Sequence, residues 1–291
     1  MKRHANYSTG RSFSPISCID SGDTPVLAIH GSAATGKQWQ SLRLGMEHER
    51  RVMAPDLPGY GDNAAANGSE QPGLAGRAQP LLALVQRQQR PVHVVAHSFG
   101  AAIALELVRA LPQAVLSLWL YEPVVPALLK HGGSDTDLAF LSDLSCLAEM
   151  LDRASGPTGM SAFVDFWHGG ICWPNLSEKR QALLAAQAPT VLRDFREAFD
   201  RPVPIRSLKR YAAPVQIAVG EETRPHAERM AALLEALLPN SSRIDFAGMG
   251  HMMPCTHEQT VNEVILDWIH GIEGERQVGA VPSLIHASVI A

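Results

Sequence analysis

Ser98 lies at a sharp turn between two apolar segments, and this placement is typical of a nucleophile. The apolar run Val92–Val95 leads into the sequence Ala-His-Ser-Phe-Gly, and a second run, Ala101–Val108, follows. This pattern predicts a strand, a tight turn and a helix. Such a turn accepts only small residues two positions before and after the serine, and it exposes the hydroxyl at the carboxyl end of the strand. Ala96 and Gly100 meet this size limit.

A serine hydroxyl is a weak nucleophile at neutral pH, so it needs a base within hydrogen-bond reach and an acid that orients the base. Among the 12 histidines, His251 fits this role best. It lies in the sequence GMGHMMP, between the last predicted strand and the last predicted helix, where the loop opens at the same edge of the sheet as the serine. We expect the neighbouring His97 to point away from the nucleophile at so sharp a turn.

Acyl transfer also places negative charge on a carbonyl oxygen, and fixed N–H donors must lie where that charge develops. The turn itself supplies one donor, the backbone N–H of Phe99. The N–H of Ser32 is the expected second donor, because Gly31 lets the chain turn at the end of an earlier strand. We expect His30 to anchor this turn and to border the substrate pocket.

Short apolar segments alternate with longer helical patterns, which predicts an α/β fold with a mostly parallel, doubly wound sheet. The predicted strands are Val26–Ile29, Arg51–Ala54, Val92–Val95, Leu116–Tyr121, Val215–Val219 and Ser242–Phe246. The long gap between the fourth and fifth strands needs a structure of its own. Leucines and aromatic residues recur there at helical spacing. We therefore predict a helical cap, residues 124–210, inserted into a core of residues 1–123 and 211–273, with a C-terminal tail, residues 274–291.

Four short segments in this order resemble the α/β-hydrolase fold superfamily: HG at 30–31, DLPGYG at 56–61, AHSFG at 96–100 and GH at 250–251. The similarity covers roughly residues 15 to 125 and 210 to 272. It implies an eight-stranded, mostly parallel sheet with the serine, the acid and the histidine in that chain order. Dehalogenases and epoxide hydrolases resemble this arrangement but attack with a carboxylate, which the serine argues against.

The acid is where the sequence departs from this family. In relatives it is the fourth residue of the turn after the strand written here as VQIAVG, and this chain has Thr223 at that place. Glu221 and Glu222 precede it in the usual turn, and Glu122 ends the strand next to the nucleophile strand, where some members of the superfamily carry the acid. We favour Glu122, because a one-residue shift in a tight turn redirects a side chain by a large angle, and we keep Glu222 as the alternative. Asp56 is expected to be structural.

The aromatic residues of the predicted cap are candidates for an apolar acyl pocket. Among them we expect Trp167 and Trp173 to contact the substrate, together with His168, because they lie around the flexible pair Gly169-Gly170.

Composition restricts the class of protein. The chain has 291 residues, 46% of them hydrophobic and 19% charged, and a net charge of -4, so nothing favours nucleic-acid binding. The N-terminus does not resemble a secretory signal, and no apolar run reaches the roughly 18 residues of a membrane span. The four cysteines show no C-x-x-C pairing, which favours reduced thiols in a cytoplasmic protein.

The function predicted from the sequence is hydrolysis of an ester or related acyl compound by a serine nucleophile acting on a small molecule. No metal or organic cofactor is expected, and the sequence does not predict the oligomeric state. Cleavage of a carbon–carbon bond in a β-diketone-like substrate would use similar machinery and stays open. A ligand-binding protein without activity on the same fold is a third possibility, which Thr223 at the usual acid position keeps open.

Overall fold

The computed structural model describes residues 24–64, 73–153 and 156–279, with side chains described as far as residue 275. Within these residues there is one six-stranded sheet in the order β2-β1-β3-β4-β5-β6, and every neighbouring pair is parallel. The strands are β1 (Val26–Ile29), β2 (Val52–Met53), β3 (Val92–His97), β4 (Val115–Tyr121), β5 (Val215–Gly220) and β6 (Ser241–Phe246). The predicted fold class is therefore confirmed, and every strand bound lies within two residues of its predicted position.

The resemblance implied eight strands, and the described residues contain six. The described chain begins only two residues before β1. The part of the expected similarity that precedes residue 24 therefore lies outside the described residues.

Each strand sends alternate side chains to the two faces of the sheet. On β1, Leu27 and Ile29 face one hydrophobic core, and Val26 and Ala28 face the other. Because both faces of the sheet are buried, the sequences of the strands are nearly continuous apolar runs. These are the runs from which the strands were predicted.

The helices cover both faces of the sheet. In chain order they are α1 (Gln40–Gly45), α2 (Leu74–Arg87), α3 (Phe99–Ala110), α4 (Ala127–Gly132), α5 (Asp135–Arg153), α6 (Pro157–His168), α7 (Glu178–Ala185), α8 (Ala188–Asp200), α9 (Ile205–Leu208), α10 (Pro225–Glu235), α11 (Met253–Thr256) and α12 (Glu258–Gly279). Helices α2, α3 and α10 pack on one face, and α1, α11 and α12 pack on the other. None of the helices in the described segments combines the length and apolar character needed to span a lipid bilayer.

Helices α4 to α9 lie between β4 and β5, in the segment predicted as a cap. Their apolar side chains join the hydrophobic core on one face of the sheet. Two buried carboxylates tie these helices to the core at their ends. Asp137 of α5 accepts two hydrogen bonds from Arg229 of α10, at 2.6 and 3.0 Å. Glu106 of α3 accepts two from Arg201, which follows α8, both at 2.9 Å.

The first part of the predicted C-terminal tail is helical, because helix α12 begins at Glu258 and continues to Gly279. Extending an existing helix avoids the cost of nucleation. Glu273 also fixes this part of α12, because it lies 2.7 Å from Arg50 and 3.3 Å from His93. Residues 280–291 of the predicted tail lie outside the described residues.

Candidate active site

Ser98 occupies the turn between β3 and α3 in the conformation that the sequence predicts. Its φ of 55° and ψ of -124° are unusual for a residue with a side chain. Gly100 is required here, because a Cβ at that position would lie 2.7 Å from the carbonyl oxygens of Ile29 and His30. Ala96 is fully buried in β3, so the turn accepts the one methyl group by which it departs from the usual glycine.

His251 lies beside this serine, with its Nε2 3.0 Å from the Ser98 Oγ. Both side chains are buried, with 4% of His251 and 8% of Ser98 exposed. The loop that carries His251 is held against the sheet by the Tyr121 hydroxyl, which donates a hydrogen bond to the Gly250 carbonyl at 2.9 Å. The loop also approaches the end of β5 closely, since a Cβ on Gly220 would meet a loop carbonyl at 2.2 Å.

Glu122 lies on the other side of the imidazole. Its Oε2 accepts a hydrogen bond from Nδ1 of His251 at 2.7 Å, and the residue is completely buried. The backbone N–H of Gly220 donates to Oε1 at 2.9 Å, and the Thr223 hydroxyl donates to Oε2 at 2.5 Å. The structure therefore joins Ser98, His251 and Glu122 in one chain of hydrogen bonds.

Thr223 explains the departure at the usual acid position. Its hydroxyl donates a hydrogen bond to the Glu122 carboxylate, which reaches across from the end of β4, so the turn after β5 holds a carboxylate that another strand supplies. Glu221 and Glu222 are both exposed, and Glu221 accepts the backbone N–H of Gly248 at 3.1 Å. Asp56 accepts backbone N–H groups of Gly36 and Asp62, at 2.7 and 2.8 Å, as expected for a structural loop residue.

Ser32 and Phe99, the two expected N–H donors, both line the cleft that contains Ser98. Within the described residues, neither of these backbone N–H groups donates a hydrogen bond to the protein. Gly31 passes so close to the nucleophile turn that a Cβ there would lie 3.1 Å from Cβ of Ser98. The loop after β1 can therefore reach the position at which a carbonyl oxygen bound near Ser98 would lie.

The cleft is narrow, with a cavity volume of about 10 Å³, and it is mostly apolar. Its lining residues are Ser32, Ser98, Phe99, Val124, Pro126, Phe163, Trp167, Asp194, Phe195 and Ala198. Trp167 of α6 also stacks on the imidazole of His251, with ring centroids 4.4 Å apart and planes inclined by 30°. Helices α6 and α8 thus line the cleft, and α6 also contacts the imidazole of His251.

The other expected pocket residues do not line this cleft. His30 is fully buried, and its ring is used twice by the backbone: Nδ1–H donates to the Gly31 carbonyl at 2.7 Å, and Nε2 accepts the N–H of Leu57 at 2.9 Å. His168 is exposed at the end of α6, and Trp173 is half-buried against the hydrophobic core. Of the proposed substrate contacts, the structure brings Trp167 alone to the cleft.

His97 has a position that the sequence did not reveal. Its Nε2–H donates to the backbone carbonyl of His251 at 2.9 Å, and its Nδ1 accepts the side-chain amide of Gln38 at 3.1 Å. Gln38 in turn accepts the N–H of Gly31 at 3.3 Å. Burial, and then the proximity of His251, lowers the pKa of His97 well below 6.5, so the ring stays neutral. The neutral ring supports the loop that carries His251. The sequence signal that could have indicated this role is the position of His97 directly before Ser98.

Asp194 of α8 is the other residue that sequence reasoning missed. This fully buried carboxylate accepts hydrogen bonds from the Ser32 hydroxyl at 2.6 Å and from the Tyr60 hydroxyl at 2.5 Å, and it is paired with Arg77. The sequence signal that could have identified Asp194 is a charged residue on the apolar side of a helix. Asp194 lies at helical spacing from Val191 and its neighbours on the buried face of α8.

Comparisons with known proteins agree with this architecture. The model of the alpha/beta hydrolase family matches residues 26–264. Lipase LipV of Mycobacterium tuberculosis is 36% identical over 146 residues, which are 50% of this chain and 54% of LipV. RutD of Klebsiella pneumoniae, a candidate carbamate hydrolase, is 25% identical over 262 residues, which are 84% of this chain and 90% of RutD. Four curated relatives of 34–39% identity, LipV among them, are matched over only 26–54% of their own length.

A solved structure has the same fold. MGS-M2, an alpha/beta hydrolase enzyme from a Medee basin deep-sea metagenome library, superposes with a TM-score of 0.68 at 16% identity, covering 94% of this chain and 95% of MGS-M2. At this identity the likeness concerns the fold alone. With the family model matched over most of its length, this chain belongs to the alpha/beta hydrolase family.

Proposed function

We propose that this protein hydrolyses an ester or related acyl substrate, with Ser98, His251 and Glu122 as its catalytic triad. The observation that carries the proposal is the unbroken hydrogen-bond chain from the Ser98 hydroxyl through the imidazole to the buried carboxylate, with distances of 3.0 and 2.7 Å. These are the distances at which a base can take a proton from a nucleophile and an acid can orient that base.

In the first half of the reaction, Ser98 Oγ attacks the substrate carbonyl carbon while Nε2 of His251 takes the hydroxyl proton. The carbonyl π electrons move onto oxygen, and the backbone N–H groups of Ser32 and Phe99 bind the resulting oxyanion. When the tetrahedral intermediate collapses, His251 returns the proton to the departing alcohol. A water molecule then repeats these steps on the acyl-enzyme and releases the carboxylic acid.

Glu122 stabilises the imidazolium that forms in each half-reaction. Its two oxygens accept hydrogen bonds from Gly220 and Thr223 as well as from His251, so the carboxylate is held in one orientation. A carboxylate held in this way by fixed donors needs little reorganisation when the positive charge appears.

The cleft favours an uncharged substrate with a short acyl group. Apart from Ser98 itself, the polar side chains of its lining are Ser32 and Asp194, and these are hydrogen-bonded to each other. The remaining lining side chains are apolar, and the cavity has a volume of only about 10 Å³, which favours a short acyl group over a long one. The names of LipV, a lipase, and RutD, a candidate carbamate hydrolase, agree with an uncharged ester or carbamate.

The test is turnover of p-nitrophenyl esters of increasing acyl length, from acetate upwards, by the wild-type protein and by Ser98→Ala. We expect hydrolysis that is fastest for the short esters and that Ser98→Ala abolishes. Ester hydrolysis that survives in Ser98→Ala would contradict the proposal. Inactivity on every ester would redirect the search to β-diketone-like substrates or to ligand binding without turnover.

A further inference from the structure

We propose that Asp194 is a positioning residue through which the cap holds the oxyanion hole in its active shape. Asp194 belongs to α8 of the cap, whereas Ser32, whose hydroxyl donates to it at 2.6 Å, belongs to the loop after β1. The same Ser32 is the proposed donor of one oxyanion N–H. The inference rests on the proposed function for its kinetic readout.

The loop after β1 needs such support because its backbone is strained. Ala33, the residue after Ser32, has a φ of 57°, in the left-handed region that residues with a Cβ rarely adopt. Strain of this kind persists only where the surroundings over-determine the conformation. Side chains from both parts of the molecule fix this loop: Gln38 of the core accepts the N–H of Gly31, and Asp194 of the cap accepts the hydroxyl of Ser32.

The charge of Asp194 is balanced at the same place. Its partner Arg77, on α2, is almost completely buried, and the Arg77 guanidinium also lies 5.5 Å from the centre of the Phe99 ring. The ion pair therefore contacts both residues whose N–H groups are proposed to bind the oxyanion: Ser32 through a hydrogen bond and Phe99 through its ring. Arg77 restrains the second donor while it neutralises the carboxylate that restrains the first.

Tyr60 extends this connection to a second loop of the core. Its hydroxyl donates to Asp194 at 2.5 Å, and burial raises the pKa of the phenol to about 12, so it remains a donor at any ordinary pH. On the same helix, the Thr190 hydroxyl donates to the Gly59 carbonyl at 3.4 Å. Displacing α8 would break all of these hydrogen bonds, so the oxyanion hole is complete only while the cap is seated.

The test compares Asp194→Ala and Ser32→Ala with a matched control, Asp137→Ala. Asp137 is an equally buried cap carboxylate that pairs with an arginine of the core, Arg229, but it lies outside the lining of the cleft. Ser32→Ala removes one hydroxyl, leaves the backbone N–H and keeps the ion pair of Asp194. It therefore tests the proposal even if Asp194→Ala fails to fold.

We expect Asp194→Ala and Ser32→Ala to lower kcat on p-nitrophenyl acetate about 10- to 100-fold, with KM changed by no more than about twofold. The double variant should be little worse than Asp194→Ala alone, since Asp194→Ala already removes the hydrogen bond that Ser32→Ala removes. Asp137→Ala should keep the wild-type kcat. If Asp194 acted only by stabilising the cap, kcat would instead fall to a similar extent in Asp137→Ala and Asp194→Ala.

A second readout does not depend on activity. Amide hydrogen exchange of the segment 31–38 should become faster by about tenfold or more in Asp194→Ala and Ser32→Ala, and should be unchanged in Asp137→Ala. If the wild-type protein hydrolyses no ester, the proposed function fails and hydrogen exchange still decides the coupling. Unchanged exchange and unchanged kcat in Ser32→Ala would overturn the inference.

Discussion

The two walls of the cleft have different origins and different chemistry. The core wall carries the proposed reacting groups: Ser98, Glu122 and His251 follow β3, β4 and β6, whose carboxyl ends meet at one edge of the sheet. The cap wall is aromatic and aliphatic, and its contacts with the core wall include Trp167 on the imidazole and Asp194 on Ser32. Strand order thus places the chemistry, and helix packing shapes the space around it.

The largest expected effect concerns the core wall and distinguishes the two possible positions of the acid, Glu122 and Glu222. Glu122→Gln should lower kcat about 10³- to 10⁴-fold, because the amide cannot stabilise the imidazolium and favours the wrong tautomer of His251. The matched control is Glu222→Gln, at the exposed alternative position, which should keep wild-type turnover of p-nitrophenyl acetate. The reverse result would transfer the role to Glu222.

The buried turn after β1, behind the core wall, should also be an acid-sensitive part of the fold. Burial lowers the pKa of His30 to about 4, against the partial opposition of its hydrogen bond to the Gly31 backbone. As the pH falls, His30 therefore binds a proton near pH 6.5 in the unfolded chain but only near pH 4 in the folded protein. Stability is lost as pH falls through this window, and His30 alone should cost about 2 kcal/mol of the free energy of unfolding between pH 7 and pH 5.

Urea unfolding at pH 7 and pH 5 measures this loss. His48→Gln is the control, because the His48 side chain is 93% exposed and its replacement should leave the pH dependence unchanged. A free energy of unfolding that is equal at the two pH values would contradict the burial of a neutral His30.

The smallest expected effect belongs to the cap wall. Trp167→Leu removes the ring that stacks on His251, and a cation–π contact with the imidazolium contributes about 0.5 to 2 kcal/mol. We therefore expect kcat to fall roughly 2- to 30-fold. Trp173→Leu, a cap tryptophan outside the cleft, should keep the wild-type kcat. Equal losses in the two variants would show that Trp167 acts through the stability of the cap and not through the base.

The sequence predicted the core wall better than the cap wall, for a physical reason. Ser98 and His251 could be assigned because parallel strands bring their carboxyl ends to one edge, whichever residues lie between them. Glu122 was favoured over Glu222 for two other reasons: a one-residue shift in a tight turn redirects a side chain by a large angle, and some members of the superfamily carry the acid after this strand. The positive φ of 40° at Glu122 and the support from Thr223 could not be predicted, since they depend on the contact between β4 and the turn after β5.

Contacts between helices of the cap and loops of the core were not encoded in any local pattern. Asp194 of α8 meets Ser32 of the loop after β1 across 162 residues of sequence. The spacing of aromatic residues showed that the cap has a buried side, but not which rings reach the cleft. For this reason Phe163 and Phe195 line it where His168 and Trp173 were expected.

The central claim is that His251 activates Ser98 for nucleophilic attack, and covalent labelling tests it most directly. Incubation with a fluorophosphonate, followed by mass spectrometry of the intact protein and of its peptides, should show one adduct, located on Ser98. The adduct should be lost in Ser98→Ala and should form far more slowly in His251→Ala. A folded wild-type protein that stays unlabelled, or that carries the adduct on another residue, would contradict the account.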